Sequence, residues 1–511
     1  MEEGAQPLLY SACWSTRVTN RHPTVHSRYG RPVEHSDVVV IGAGFGGLSA
    51  ALHLAEAGHK VVLCEALTYP GGCASTFTKD GYRFEAGATL FSGFGPGQWM
   101  ARWIDRFQLD VRVDPVDPVF TFHGPAVMDV PSDRTAFADQ LCALPNAPVE
   151  QIRAWMAYQE RIGDVLWGVL DEPDLLPPWS LSALWRHALR APSYLRLLPL
   201  VNRPMSHALE RFGVADFAPL RSFLDAACQI TVQVPASEAE ATFAIGAVEN
   251  FFRGAAHIHG GVGELGSAVC GAIERMGGSV RFANRVKALE PSANGWTVQT
   301  RGGPIQARHV VANQLPHDLS SLANVSSARL SRMRSAVDGG WGAAMLYMVV
   351  KDEGLPAHAV HHELVEDAQR PLPGGNHVLV SIAARDDRRA PVGFRTASAS
   401  THVHPNSDHP ARTLAAVQER MRVNISRKLP QLQVVEEYTA SPRTFERFTR
   451  RKDGLVGGIP RRVGLHNYAG LWPRPVARGL WLVGDSAFPG QSVLSVAIGG
   501  YRVASAIGKH R

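Results

Sequence analysis

Glycines and acids at three separated places are the residues of this chain best suited to chemistry. Gly42-Ala43-Gly44-Phe45-Gly46-Gly47 has the spacing of a turn that cradles a dinucleotide pyrophosphate. The first glycine permits the tight turn, the second lets backbone approach the phosphates, and the third lets helix and strand pack closely. The helix that follows points its positive end at the anion. Glu65 stands 23 positions after Gly42, where a carboxylate accepts from ribose hydroxyls and repels a 2′-phosphate. Gly71-Gly72 follows just beyond that acid. Near the other end of the chain, Gly484-Asp485 can offer a backbone N–H to a pyrophosphate and a carboxylate to a hydroxylated chain.

Each of these turns needs a strand before it, and two need a helix after it. Residues 37–41, Asp-Val-Val-Val-Ile, read as a buried parallel strand. A helix is expected over about 47–57, stopped by Gly58, then a second buried strand over 60–65. Gly260-Gly261-Val262-Gly263 opens another helix, ending near Met276, with strands over 279–282, 286–289, 296–300 and 309–313. The end of the chain gives a strand over 480–483, a turn over 484–491 and a closing helix from near Ser492 to about Ile507. The expected fold class is α/β. A Rossmann-type nucleotide-binding domain is assembled from discontinuous segments, 36–100, 255–325 and 475–511. Residues 101–254 and 326–474 form an inserted α+β substrate domain, and 1–35 a disordered leader.

The glycine turn alone does not separate NAD from FAD. The longer stretches do more. Glu65-Ala66-Leu67-Thr68-Tyr69-Pro70-Gly71-Gly72 and Leu482-Val483-Gly484-Asp485-Ser486-Ala487-Phe488-Pro489-Gly490-Gln491 resemble the flavoprotein family that includes amine oxidases, phytoene desaturases and carotenoid isomerases. The resemblance implies FAD as cofactor, with Gly42, Ala43, Gly44, Gly46, Gly47, Glu65, Gly71, Gly72, Val286, Gly484, Asp485, Ser492 and Val493 at its site. Val286 would read adenine through its backbone, and the helix opening at Ser492-Val493 would face the flavin ring. Most members carry a basic residue after the glycine pair; here Cys73 stands there.

A narrower likeness follows. Gly71 to Phe77, then Gly81 to Leu90 with Ala86-Gly87-Ala88-Thr89, then Phe94-Gly95-Pro96-Gly97, resemble carotenoid-modifying enzymes, the bacterial carotenoid 3,4-desaturases nearest. Pro489-Gly490-Gln491-Ser492-Val493-Leu494 fits the same group, although desaturases often read P-G-x-G-[IV]-P, from which Ser492 and Leu494 depart. The closing signature usual in amine oxidases finds no match. The implied activity is desaturation of an acyclic, 1-hydroxylated carotenoid at C-3,4, by hydride transfer from an allylic carbon to FAD and proton loss from its neighbour. A cation spread over a polyene acidifies that neighbour, so no dedicated catalytic residue is assigned, and none of the 21 histidines receives a role. Phe91 and Phe94 fit equally a flavin face or a core. Alternatives are a carotenoid cis–trans isomerase, a phytoene desaturase or saturase, and a flavin-free prenyl-protein-binding module on the same fold.

Composition bounds the rest. The chain has 511 residues, 45% apolar and 19% charged, as a folded multidomain protein requires. A net charge of +6 without a Lys/Arg run interleaved with aromatics gives no nucleic-acid footprint. Six scattered cysteines without a C-x-x-C pair fit reduced thiols in a cytoplasmic compartment and leave no metal site expected. Residues 175–209 carry no Asp or Glu but hold Arg186, Arg190, Arg196 and Arg203. Leu181, Leu184, Trp185, Ala188 and Leu189 share one helical face there, as an interfacial helix requires. Five prolines should break the stretch into short pieces. The expectation is peripheral membrane contact, with the electron acceptor open.

Overall fold

Two seven-stranded sheets organise the chain. The computed structural model describes residues 34–405 and 410–508. The leader therefore lies outside the described residues, except that 34 and 35 already belong to the first strand, Glu34–Ile41. Val38 to Ile41 are all buried, because a strand covered by helices on both faces is apolar throughout.

In the first sheet that strand pairs in parallel with Val61–Cys64 on one side and Gly303–Ala312 on the other. Ser279–Arg281 adds beyond Val61–Cys64. The start of Gly303–Ala312 pairs antiparallel with Gly295–Thr300, which pairs with Val286–Ser292; its end pairs in parallel with Leu480–Leu482. In register, Ile41 lies beside Cys64 and Ala312, and Ala312 beside Leu482. Gly42, Glu65, Asn313 and Gly484 thus emerge together at the carboxyl ends of neighbouring parallel strands, where open α/β sheets bind ligands.

Two helices close over that edge. Phe45–Glu56 and Val493–Gly508 lie against each other, with Ser49 Oγ donating to the Ala497 carbonyl at 2.7 Å. A Cβ on Gly500 would collide with the Gly46 carbonyl oxygen, so the helices meet backbone to backbone.

The second sheet runs in the order Val434–Ala440, Gly342–Lys351, Phe394–Val403, His377–Ile382, Val360–Val365, Phe120–His123, Val127–Val130. Helices from 134 to 248 pack beside it around Phe120, Phe137, Trp155 and Phe223. No described helix is long and apolar enough to cross a membrane. The five described cysteines are free.

Candidate functional site

One cavity of about 850 Å³ runs from the glycine turns into the second sheet and its helices. Of the expected site residues, Gly42, Gly44, Gly46, Glu65, Gly71, Gly72, Val286, Gly484, Asp485, Ser492 and Val493 line it. Ala43 and Gly47 do not; they shape the turn from behind. The Ala43 N–H donates to Glu65 Oε2 at 2.7 Å, and the Leu67 N–H to Glu65 Oε1 at 2.7 Å. Burial pushes the Glu65 carboxyl up while these backbone donors pull it down. The Gly71 N–H donates to the Ala43 carbonyl at 2.8 Å, stitching the two glycine turns together. A Cβ on Gly47 would strike the carbonyl oxygen of Gly42.

The cradle fits a dinucleotide. No side chain caps the helix at Gly44 and no acid stands in its first turn, so its amide end is left for an anion. The closing helix likewise has no acid in its first turn. A Cβ on Gly46 would lie 2.8 Å from the Gly484 nitrogen, so only glycine lets these two motifs approach. Ser492 holds φ +102°, backbone that favours glycine, which explains the glycine usual there in desaturases. Its Oγ accepts from the Ser495 N–H at 3.0 Å, so here the serine caps the helix instead.

Sequence reasoning misses three positions. It places Asn313 only at a strand end, yet the Asn313 side chain fills the space beside Gly44, Gly46 and Gly484. Arg451 lines the cavity and pairs with Asp485 at 2.8 Å. Its charge also acts on the Cys73 thiol, which burial pushes up, so it supplies positive charge near the position where the usual basic residue is lacking. Arg461, buried and pushed down to about 10 by desolvation, donates to the Pro489 carbonyl at 2.9 Å and fixes the closing turn. None of these belongs to a contiguous motif; only the strand-end position of Asn313 left a signal.

Other residues singled out in the sequence lie away from the cavity. The Gly260-Gly261 turn does not face the cavity. The Gly260 N–H donates to Asp387, the Val262 N–H to Glu85 and the Gly263 N–H to Thr76, so side chains occupy that helix end. His257 and His259 flank Asp387, whose carboxyl hydrogen bonds and nearby cations hold at about 2 against burial. Phe91 is buried in the core and Phe94 packs on it; neither lines the cavity.

Buried imidazoles make the second sheet acid-sensitive. Burial pushes His361 and His402 down to about 3 and His362 to about 4. A lowered folded pKa means the unfolded chain takes the proton first, so stability is complete above about pH 6.5 and is lost as pH falls toward 3–4. Each such group costs roughly 2 kcal/mol at pH 5. The thermal midpoint should fall steeply between pH 7 and pH 5; a flat profile would contradict these burials.

The chain matches the family described as flavin containing amine oxidoreductase over residues 45–333, more than half its length. It belongs to that family. It is a FAD-dependent oxidoreductase, and the glycine cradle, Glu65 and Asp485 are the residues that would hold the cofactor. The chain is 26% identical to prolycopene isomerase 2, chloroplastic, of an Oncidium hybrid cultivar, over 93% of this chain and 85% of that protein. It is 25% identical to the neurosporene-forming phytoene desaturase of Rhodobacter capsulatus, over 92% of this chain and 93% of that one. An oxidoreductase structure from Methanosarcina mazei shares the fold, with TM-score 0.66 and 18% identity, covering 92% of this chain and 100% of that one.

Proposed function

We propose that the chain is a carotenoid desaturase that introduces a C-3,4 double bond into an acyclic, 1-hydroxylated carotenoid at a membrane surface. The observation that carries this is the continuity of the cavity. It passes from the glycine cradle into a lobe lined by Leu166, Val169, Leu176, Tyr194, Leu197 and Val201. A long apolar chain fits such a channel. FAD held in the cradle would supply the hydride acceptor for the allylic carbon. The apolar walls would keep bulk water from adding to the polyene cation, and the neighbouring carbon would give its proton to a water or a weak base admitted to the channel. The names of the two curated relatives point to the same substrate class.

The segment that walls the lobe also faces outward. Tyr194, Leu197 and Val201 line the cavity, while Leu195 and Leu198 between them are exposed. The helix Leu181–Tyr194 exposes Leu181, Leu184, Trp185, Ala188 and Leu189, and Ala183 alone is buried. Pro192 sits in its last turn rather than ending it. Arg186 and Arg190 turn inward to Glu172, leaving Arg196 and Arg203 exposed. An exposed apolar face beside a channel wall suits entry of substrate from a bilayer. Changing Trp185 and Leu189 together to Asp should cut co-sedimentation with anionic liposomes by about tenfold or more. Flavin content should stay unchanged. Undiminished sedimentation would remove the membrane reading.

The test of function is product mass. Purified protein is given a 1-hydroxylated acyclic carotenoid in liposomes. Desaturation yields a product lighter by two hydrogens with red-shifted absorption. An unchanged mass with altered geometry selects the second reading, an isomerase, which the likeness to the Oncidium protein favours.

A further inference from the structure

We propose that Glu363 and His377 form a recognition site for a hydroxyl group at one end of the otherwise apolar substrate. Both line the cavity. Both are almost wholly buried, Glu363 at 1% exposure and His377 at 3%. Glu363 Oε2 and His377 Nε2 stand 3.5 Å apart, too far for a direct hydrogen bond. Neither atom has a hydrogen-bond partner among the described residues. Buried polar atoms are nearly always hydrogen-bonded, so two that make only a long ion-pair contact with each other and face the same cavity call for a ligand atom.

The pair defines what that atom is. With the imidazole proton on Nε2, His377 donates there and the Glu363 carboxylate accepts. A hydroxyl oxygen placed between them can donate to one and accept from the other. A hydrocarbon terminus can do neither and would leave both unpaired.

The sheet places this pair away from the cofactor cradle. Met345, Ser400, Leu379 and Glu363 are in register across four adjacent strands, and all line the cavity. Met345 packs with Phe445, on the helix Pro442–Thr449 just before Arg451 and its partner Asp485. Glu363 lies three strands further across, about 14 Å at the usual strand spacing. C-1 is only two bonds from C-3, so a hydroxyl held here keeps C-3 and C-4 beside the pair, beyond the nucleotide cradle. Glu363 and His377 are positioning and specificity residues in this account. The inference rests on the carotenoid reading and narrows it.

The experiment compares the holoenzyme's kcat/KM for two acyclic carotenoids of equal length, one 1-hydroxylated and one ending in hydrocarbon. The wild type should favour the hydroxylated substrate by about 100-fold. In Glu363→Leu and His377→Leu, each checked for native flavin content, the preference should collapse to within a few-fold. Should these variants fail to fold, binding to the wild type decides. The hydroxylated compound should quench tryptophan emission at far lower concentration than its 1-methoxy analogue, which cannot donate. Equal wild-type use or equal binding of the paired compounds overturns the inference while leaving the desaturase reading intact. Turnover of neither compound overturns the desaturase reading itself; the methoxy comparison then decides the hydroxyl site alone.

Discussion

Gly47→Ala is expected to purify without flavin. The added Cβ meets the Gly42 carbonyl oxygen, which is backbone and cannot swing aside. To make room, the helix Phe45–Glu56 must lift off its strand, and that helix is buried almost to its last residue. Overpacking a core commonly costs about 1–3 kcal/mol, and a backbone collision stands at or above the top of that range. The same movement misaligns the amide end that faces the cradle. The control is Gly58→Ala. Gly58 has φ +77° and a Cβ added there would meet nothing within 4 Å, so only the backbone conformation is penalised, by about 1 kcal/mol. Visible flavin absorbance per protein, read with the thermal midpoint, checks both. Gly47→Ala retaining full flavin would refute the close packing.

The second large effect is expected for Asp485→Ala. Only 14% of the Arg451 side chain and 16% of the Asp485 side chain are exposed. Removing the acid leaves a guanidinium buried without its partner, at a cost of about 3–5 kcal/mol. The same change takes a carboxylate from the cavity wall. The double variant Arg451→Met with Asp485→Ala should regain much of the stability, because the stranded charge is gone. It should not regain flavin affinity. Denaturant midpoints and flavin titration separate the two effects. Recovery of both together would mean that Asp485 serves only its arginine.

The nucleotide half was legible because its elements are local and their chemistry is narrow. Val38 to Ile41 could only be a doubly covered strand, and a turn with glycine at 42, 44 and 47 leaves little freedom. Glu65 was found by distance along the chain; the structure adds that it also ties the turn through the Ala43 N–H. The middle glycine helix was legible as a helix, but its partners were not: the Gly260 N–H meets Asp387 and the Val262 N–H meets Glu85. A sequence shows which residues free a helix end, not which carboxylates fill it.

The rest of the site was much less legible. Asn313, Arg451 and Arg461 reach the cradle across long gaps in the chain, and Glu363 and His377, although on consecutive strands, carry no motif that marks them as cavity residues. The Leu181–Tyr194 helix lay between, because amphipathicity identified the face but not what covers it. Its apolar face is exposed among the described residues, which is what supports the proposed membrane contact. Of the four arginines beside that face, Arg186 and Arg190 pair with Glu172, just outside the acid-free stretch.

The most direct test is an anaerobic single turnover. Holoenzyme in liposomes is mixed with one equivalent of a 1-hydroxylated acyclic carotenoid, with no electron acceptor present. The account predicts that visible flavin absorbance bleaches in step with formation of one equivalent of product lighter by two hydrogens. Flavin that stays oxidised while the carotenoid is unchanged in mass would contradict it.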